Sequence, residues 1–146
     1  MDNLKFVKLS EVGQMITVLP LIQQQYPDID SENFRSSLTE MVESNGYQML
    51  VVLRDEKLVA ICGYWILRMI YCGRFLQMSN LVVDKDFRNV GIGNKIIDQV
   101  SVIAKQYKCD KIVLDSNMLN KKSHSLFFKN DFYIRGFHFM KDINYG

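Results

Sequence analysis

A chain of 146 residues is long enough to bury one hydrophobic core and short for two, so a single domain over residues 1–146 is expected. With 48% hydrophobic and 23% charged residues it has the balance of a globular protein, which excludes a disordered or fibrous chain. The net charge of +2 argues against a nucleic-acid or anionic-membrane partner, and no apolar run approaches the ~20 residues of a spanning helix.

The start, MDNLKFVKLS, lacks the apolar stretch of a signal peptide, so a cytoplasmic location is expected. Cys62, Cys72 and Cys109 are odd in number and show no CxxC spacing, which argues against disulfides and zinc. They read as reduced, buried thiols, and no metal is expected.

In chain order, residues 4–8 form a short strand. Ser10 then caps a helix carrying Val12, Met15, Ile16, Leu19 and Ile22 at helical spacing, with Pro20 expected to bend or break it. Tyr26, Pro27 and Asp28 make a turn. Asp30 or Ser31 caps a second helix with Phe34, Leu38, Met41 and Val42 on one face, and Gly46 ends it. Residues 48–53, 58–70 and 75–83 read as three strands of an antiparallel meander joined by short turns. Helical periodicity returns over 91–107 through Ile92, Ile96, Ile97, Val100, Ile103 and Ala104. A buried strand over 111–114, a helix over 123–129 and a closing strand or hairpin over 132–143 complete the chain. The order β-α-α-β-β-β-α-β-α-β is an α+β fold on one mixed central sheet flanked by helices.

The segment with most chemical content is Leu81, Val82, Val83, Asp84, Lys85, Asp86, Phe87, Arg88, Asn89, Val90, Gly91, Ile92, Gly93. A strand ends, a polar loop follows, and a glycine-bracketed turn opens a long helix. The first turn of a helix presents backbone N–H groups and the positive end of its dipole. Gly91 and Gly93 allow a phosphate close to that backbone, and Arg88 adds a cationic fork. A pyrophosphate is the natural guest. A dinucleotide fingerprint would need glycine at Ile96, and a P-loop would need GK[ST] where Gly93, Asn94, Lys95 stand. Spacing alone leaves open a simple turn with a solvated Arg88.

Arg88, Asn89, Val90, Gly91, Ile92, Gly93 match the Q/R-x-x-G-x-G/A signature, and here the chain resembles the GNAT N-acetyltransferase family. The resemblance covers nearly the whole chain. Leu114, Asp115, Ser116 followed by the stretch from Ser123, His124 to Asp131, Phe132 is similar to the family's L-D-S and A-H-x-F-Y-x-x-x-G-F motifs. Phe137, His138, Phe139 resemble the H-F pair in the last strands of one bacterial branch. The resemblance implies acetyl-CoA as cofactor. Leu81, Val82 and Val83 would run beside the pantetheine, with an amide near Val83 polarising the thioester carbonyl. Arg88, Asn89, Val90, Gly91, Ile92, Gly93 and Asn94 would wrap the pyrophosphate, while Asn120 and Phe127 would line the pantetheine channel. Asn120 reads equally as a helix cap.

The same resemblance exposes departures. Many relatives carry a carboxylate where this chain has Ser79 and Asn80, and a tyrosine acid where it has Phe127. Asp131 replaces a family glycine. Ser79 and Asn80 could hold a water that relays the amine proton, and His124 has a suitable ordinary pKa. These three are the catalytic candidates. The acceptor wall implied by the family draws on the two N-terminal helices and the following strands, giving Tyr26, Phe34 and Tyr64, with His138 added from the closing strand. Tyr64 and Trp65 must face opposite sides of their strand, so only one reaches the cleft.

The expected function is transfer of an acetyl group from acetyl-CoA to a primary amine, small molecule, polyamine or protein, by direct attack in a ternary complex. The alternative from another class is a non-catalytic acetyl-CoA-binding regulatory module. An open acceptor slot favours the enzyme, and a slot plugged by Trp65 or Met78 favours the module. A homodimer that completes the site stays open.

Overall fold

The computed structural model describes residues 3–146. Contacts divide the chain into one compact unit up to Leu114 and a second over 115–146.

The first unit is built on five strands in sequence order: β1 (Leu4–Leu9), β2 (Gln48–Arg54), β3 (Lys57–Met69), β4 (Gly73–Val83) and β5 (Lys111–Val113). Neighbours are antiparallel from β1 to β4, and β5 joins parallel to β4. Asp55 and Glu56 close the β2–β3 hairpin at φ of 50° and 65°. That double left-handed turn matches the twist of the strands it joins.

Between β1 and β2 run α1 (Val12–Met15), a 3-10 turn (Ile16–Val18), α2 (Leu19–Gln25) and α3 (Ser31–Asn45). The helix break falls at Val18, two residues before the expected site, because Pro20 sits in the first turn of α2, where its missing N–H costs nothing. Asp30 caps α3 through Oδ1, which accepts from the Asn33 N–H at 2.7 Å, and Gly46 at φ 67° ends it. These helices bury Met15, Val18, Leu21, Ile22, Phe34 and Leu38 against Tyr47, Met49, Val51, Ile61 and Val82.

The alternate residues Leu50, Val52, Ala60, Cys62 and Tyr64 are also buried, on the opposite side of the strands. On α4 (Ile92–Gln106) the buried stripe is Ile92, Ile96, Ile97, Val100, Ile103 and Ala104, and this helix packs on β4 and β5. Tyr64 donates to Gln48 Oε1 (2.9 Å), and Gln48 Nε2 donates to Tyr107 at the end of α4 (3.2 Å). Of the cysteines only Cys62 is buried; Cys72 and Cys109 are partly exposed, and all three are free thiols. No helix among the described residues is long and apolar enough to cross a membrane.

The second unit holds α5 (Lys121–Lys129), capped by Asn120, and an edge-on contact of Phe127 with Phe132 at 5.7 Å. The closing strand expected over 132–143 is not there: residues 133–146 form neither helix nor strand. An extended segment becomes a strand only by pairing, and this one has no ladder partner. Phe137, Phe139 and Met140 are 82%, 90% and 84% exposed, so the alternation read from the sequence sorts no buried face from a solvated one.

Candidate active site

Two irregularities fall on β4, and both open it. Its pairing with β5 runs only from Phe75↔Lys111 to Gln77↔Val113. From Met78 to Val83 the edge that faced β5 therefore has no strand beside it among the described residues, although β4 is an interior strand. The second irregularity lies against β3. Ile61 pairs with Val82 and Gly63 with Ser79, so Asn80 and Leu81 together face Cys62. This is a bulge, which re-aims side chains and backbone on the longer strand. Asn80 takes φ 52° there, a left-handed geometry that asparagine tolerates better than most residues.

Beyond the bulge, β4 feeds the loop that sequence spacing marked for phosphate. Asp84 N–H donates to Val59 O (2.8 Å), and Asp84 Oδ1 accepts from the Asp86 N–H (2.9 Å). That backbone bond, helped by Gln24 and by nearby Lys57 and Lys85, holds the Asp84 carboxyl below its ordinary pKa. Gln24 on α2 grips the loop twice: Nε2 donates to Asp84 Oδ2 (3.2 Å), and Oε1 accepts from the Lys85 N–H (3.0 Å). Phe87 lies 5.8 Å from the Arg54 guanidinium and 5.2 Å from Lys57 Nζ, which pins the loop to the β2–β3 hairpin.

Arg88 Nε donates to Val83 O at 3.1 Å, and its terminal nitrogens have no partner among the described residues. Asn89 and Gly91 are left-handed, at φ 63° and 91°, and turn the chain into α4. Gly91 is the N-cap of this 15-residue helix and makes no side-chain cap bond. The contrast with α3 and α5, each capped by a side-chain oxygen, is direct. Arg88, Asn89, Val90 and Gly91 are exposed, whereas Ile92 anchors the turn in the core. The chemistry on offer is a row of amide donors, a helix dipole and a held guanidinium, which together select a multiply charged anion.

A polar cluster sits beside the bulge. Asn80 Oδ1 accepts from the Ser79 hydroxyl (3.0 Å) and from the Tyr47 phenol (3.2 Å). Trp65 packs against Tyr47 with ring centroids 4.9 Å apart, and its buried Nε1–H has no hydrogen-bond partner among the described residues. An orphaned donor of this kind costs about 1–3 kcal/mol. Burial pushes the Tyr47 phenol well above its ordinary pKa, so it stays a protonated donor.

The expected acceptor wall comes out divided. Trp65, not Tyr64, shares a face with Tyr47; Tyr64 is fully buried on the α4 side and bonded to Gln48. Phe34 is 5% exposed and packs in the core under the helices. Neither presents a surface to a substrate. Tyr26 is 47% exposed at the end of α2 and is close enough to Tyr47 to act on its ionisation. In the second unit, Asn120 is the helix cap, its Oδ1 accepting from the Ser123 N–H (3.3 Å). His124 Nε2 lies 2.9 Å from Asn117 O, and His138 Nδ1 lies 3.3 Å from Asp115 Oδ1, both partners more than half exposed. Tyr47 was not singled out by sequence reasoning. A signal for Tyr47 existed in Gly63, since a glycine inside a strand marks a close approach.

The description "Acetyltransferase (GNAT) family" fits a family model that matches residues 15–132. A glucosamine 6-phosphate N-acetyltransferase of Dictyostelium discoideum is 28% identical over 96 residues, which span 62% of this chain and 61% of that relative. Among solved structures, an aminoglycoside acetyltransferase from an uncultured soil metagenomic sample, in complex with sisomicin, superposes with a TM-score of 0.79 at 17% identity, covering 98% of each chain. A predicted acetyltransferase of Clostridium acetobutylicum with acetyl-CoA gives 0.75 at 14% identity, covering 95% of this chain and 96% of its own. The fold, the signature loop and the family match agree, and the chain belongs to the GNAT family of acetyl-CoA-dependent acetyltransferases.

Proposed function

We propose that this protein transfers the acetyl group of acetyl-CoA to a primary amine on a small polar molecule, by direct attack in a ternary complex. The observation that carries this reading is β4 itself. It leaves β5 after Gln77, bulges at Asn80 and runs into the Arg88 loop at the uncapped start of α4. An edge without a ladder partner accepts an extended pantetheine as an added strand, and the loop accepts its pyrophosphate. Leu81, Val82 and Val83 take the first role, and Arg88, Asn89, Val90, Gly91, Ile92, Gly93 and Asn94 take the second. The match to the family model runs across the boundary between the two units, which supports one catalytic domain.

In the reaction the amine nitrogen bonds to the thioester carbonyl carbon, the carbon–sulfur bond breaks, and one proton passes from nitrogen to the departing sulfur. The amide of Val83, or one beside it, stabilises the oxyanion. Ser79 and Asn80 stand on the amine side. The departing thiolate takes its proton from water. The named relatives support a sugar amine, since one is a glucosamine 6-phosphate acetyltransferase and another was solved with sisomicin.

The test is thiol release from acetyl-CoA with glucosamine 6-phosphate, sisomicin, spermidine and lysine offered separately. Release above the no-amine rate is expected for at least one sugar amine. Tight acetyl-CoA binding with no release from any amine would instead fit a non-catalytic module.

A further inference from the structure

Tyr47 follows the left-handed cap of α3 and precedes β2, yet its hydroxyl bonds a residue on β4. To get there the ring crosses β3 over Gly63. A Cβ at Gly63 would fall on the Tyr47 hydroxyl and ring, so this glycine is what lets the phenol pass. Trp65, two residues further on the same face, walls the ring from the side, and Tyr47 is left 2% exposed. Two hydroxyls, one from the residue before β2 and one from β4, thus converge on one amide oxygen. Asn80 is the left-handed residue of the bulge, and its Oδ1 receives both the Tyr47 and the Ser79 hydroxyl protons.

That arrangement fixes hydrogens as well as heavy atoms. With its proton committed to Asn80, the half-buried Ser79 oxygen keeps only lone pairs for any third group. An oxygen so placed accepts a hydrogen bond from an amine N–H and offers nothing to repel it. Without the phenol, Asn80 would lose one of two anchors at a backbone geometry it holds only under constraint.

We propose that Tyr47 is a positioning residue for acetyl transfer. Acting through Asn80, it holds the β4 bulge and turns the Ser79 oxygen toward the attacking amine. The proposal rests on the acetyl-transfer reading above and adds a residue that touches neither cofactor nor substrate.

The experiment compares wild type with Y47F, N80A and the double variant Y47F/N80A. Y47F removes only the hydroxyl and keeps the ring against Trp65. Because Trp65 is the single tryptophan of the chain, its fluorescence reports directly whether that packing survives. Kinetics use the sugar amine that wild type acetylates fastest, and calorimetry gives the dissociation constant for acetyl-CoA.

Y47F should keep wild-type emission and acetyl-CoA affinity while kcat falls about tenfold with little change in KM, the signature of one neutral hydrogen bond lost in the transition state. N80A should lose at least as much, and the double variant no more than N80A, because both changes break one connection. Wild-type kcat in Y47F, or losses that add in the double variant, would overturn the proposal. So would a Y47F defect confined to acetyl-CoA affinity. If Y47F loses the native emission, N80A against Y47F/N80A decides, and a further drop in kcat overturns it. Wild type inert toward every amine would strike the acetyl-transfer reading and this inference together.

Discussion

At the scale of single residues, chemistry here is set by which side of the central strands a group lies on. Cys62 and Gly63 are neighbours on β3 with opposite fates. Gly63 gives its space to the Tyr47 phenol, while Cys62 is fully buried on the other face. Burial pushes the Cys62 thiol from its ordinary 9.0 up to about 12. The shift is upward because a low-dielectric interior penalises the thiolate and not the neutral thiol. At pH 8 Cys62 then stays a neutral thiol, and the thiolate is the reactive form. Native protein treated with a thiol-reactive disulfide reagent at pH 8 should therefore titrate Cys72 and Cys109 first. Cys62 should appear only in denaturant. Three equivalents reacting quickly in the native state would contradict the burial of Cys62. Nothing in the sequence separated the three cysteines, since burial of Cys62 follows from its register between β2 and β4 and not from its neighbours in the chain.

At the scale of elements, the helix ends divide by purpose. Asp30 closes α3 by bonding the Asn33 N–H, and Asn120 closes α5 by bonding that of Ser123. The start of α4 has glycine instead, with no side-chain cap bond. D30A should destabilise the fold by ~1 kcal/mol and lower the melting temperature by about 4 °C, leaving acetyl-CoA affinity unchanged. A fall in that affinity would mean that α3 and the cofactor loop are coupled. Both caps of α3 were legible because capping is local chemistry, written in the residue at each end. The kink near Pro20 was legible in kind and displaced in position, since proline disfavours a helix interior and suits a first turn equally well. The closing strand was misread for the opposite reason. Alternation over Phe137, His138 and Phe139 is a local pattern, whereas a strand exists only with a paired neighbour, which no local pattern supplies.

At the scale of the whole molecule, the sheet is a device for separating two strands. β4 and β5 begin side by side and part after Gln77, and the loop beyond β4 is fastened from two directions, by Gln24 of α2 and by Arg54 and Lys57 around Phe87. The fold class and the glycine turn that opens α4 were legible because they rest on periodicity and a short motif. The polar cluster of Tyr47, Ser79 and Asn80 was only half legible. Its β4 members stood at a position the family marks, but Tyr47 reaches them across 33 residues of sequence and one intervening strand. The central claim is that Arg88 and the uncapped turn of α4 hold the pyrophosphate of acetyl-CoA. Calorimetric titration with acetyl-CoA tests it most directly, run on wild type and on R88A with ATP and NADH as controls. The account predicts selective binding near one site per chain, weakened about tenfold or more in R88A by loss of charge-assisted hydrogen bonds, with the melting temperature unchanged. Equal affinity in R88A, or no binding by folded wild type, would contradict it.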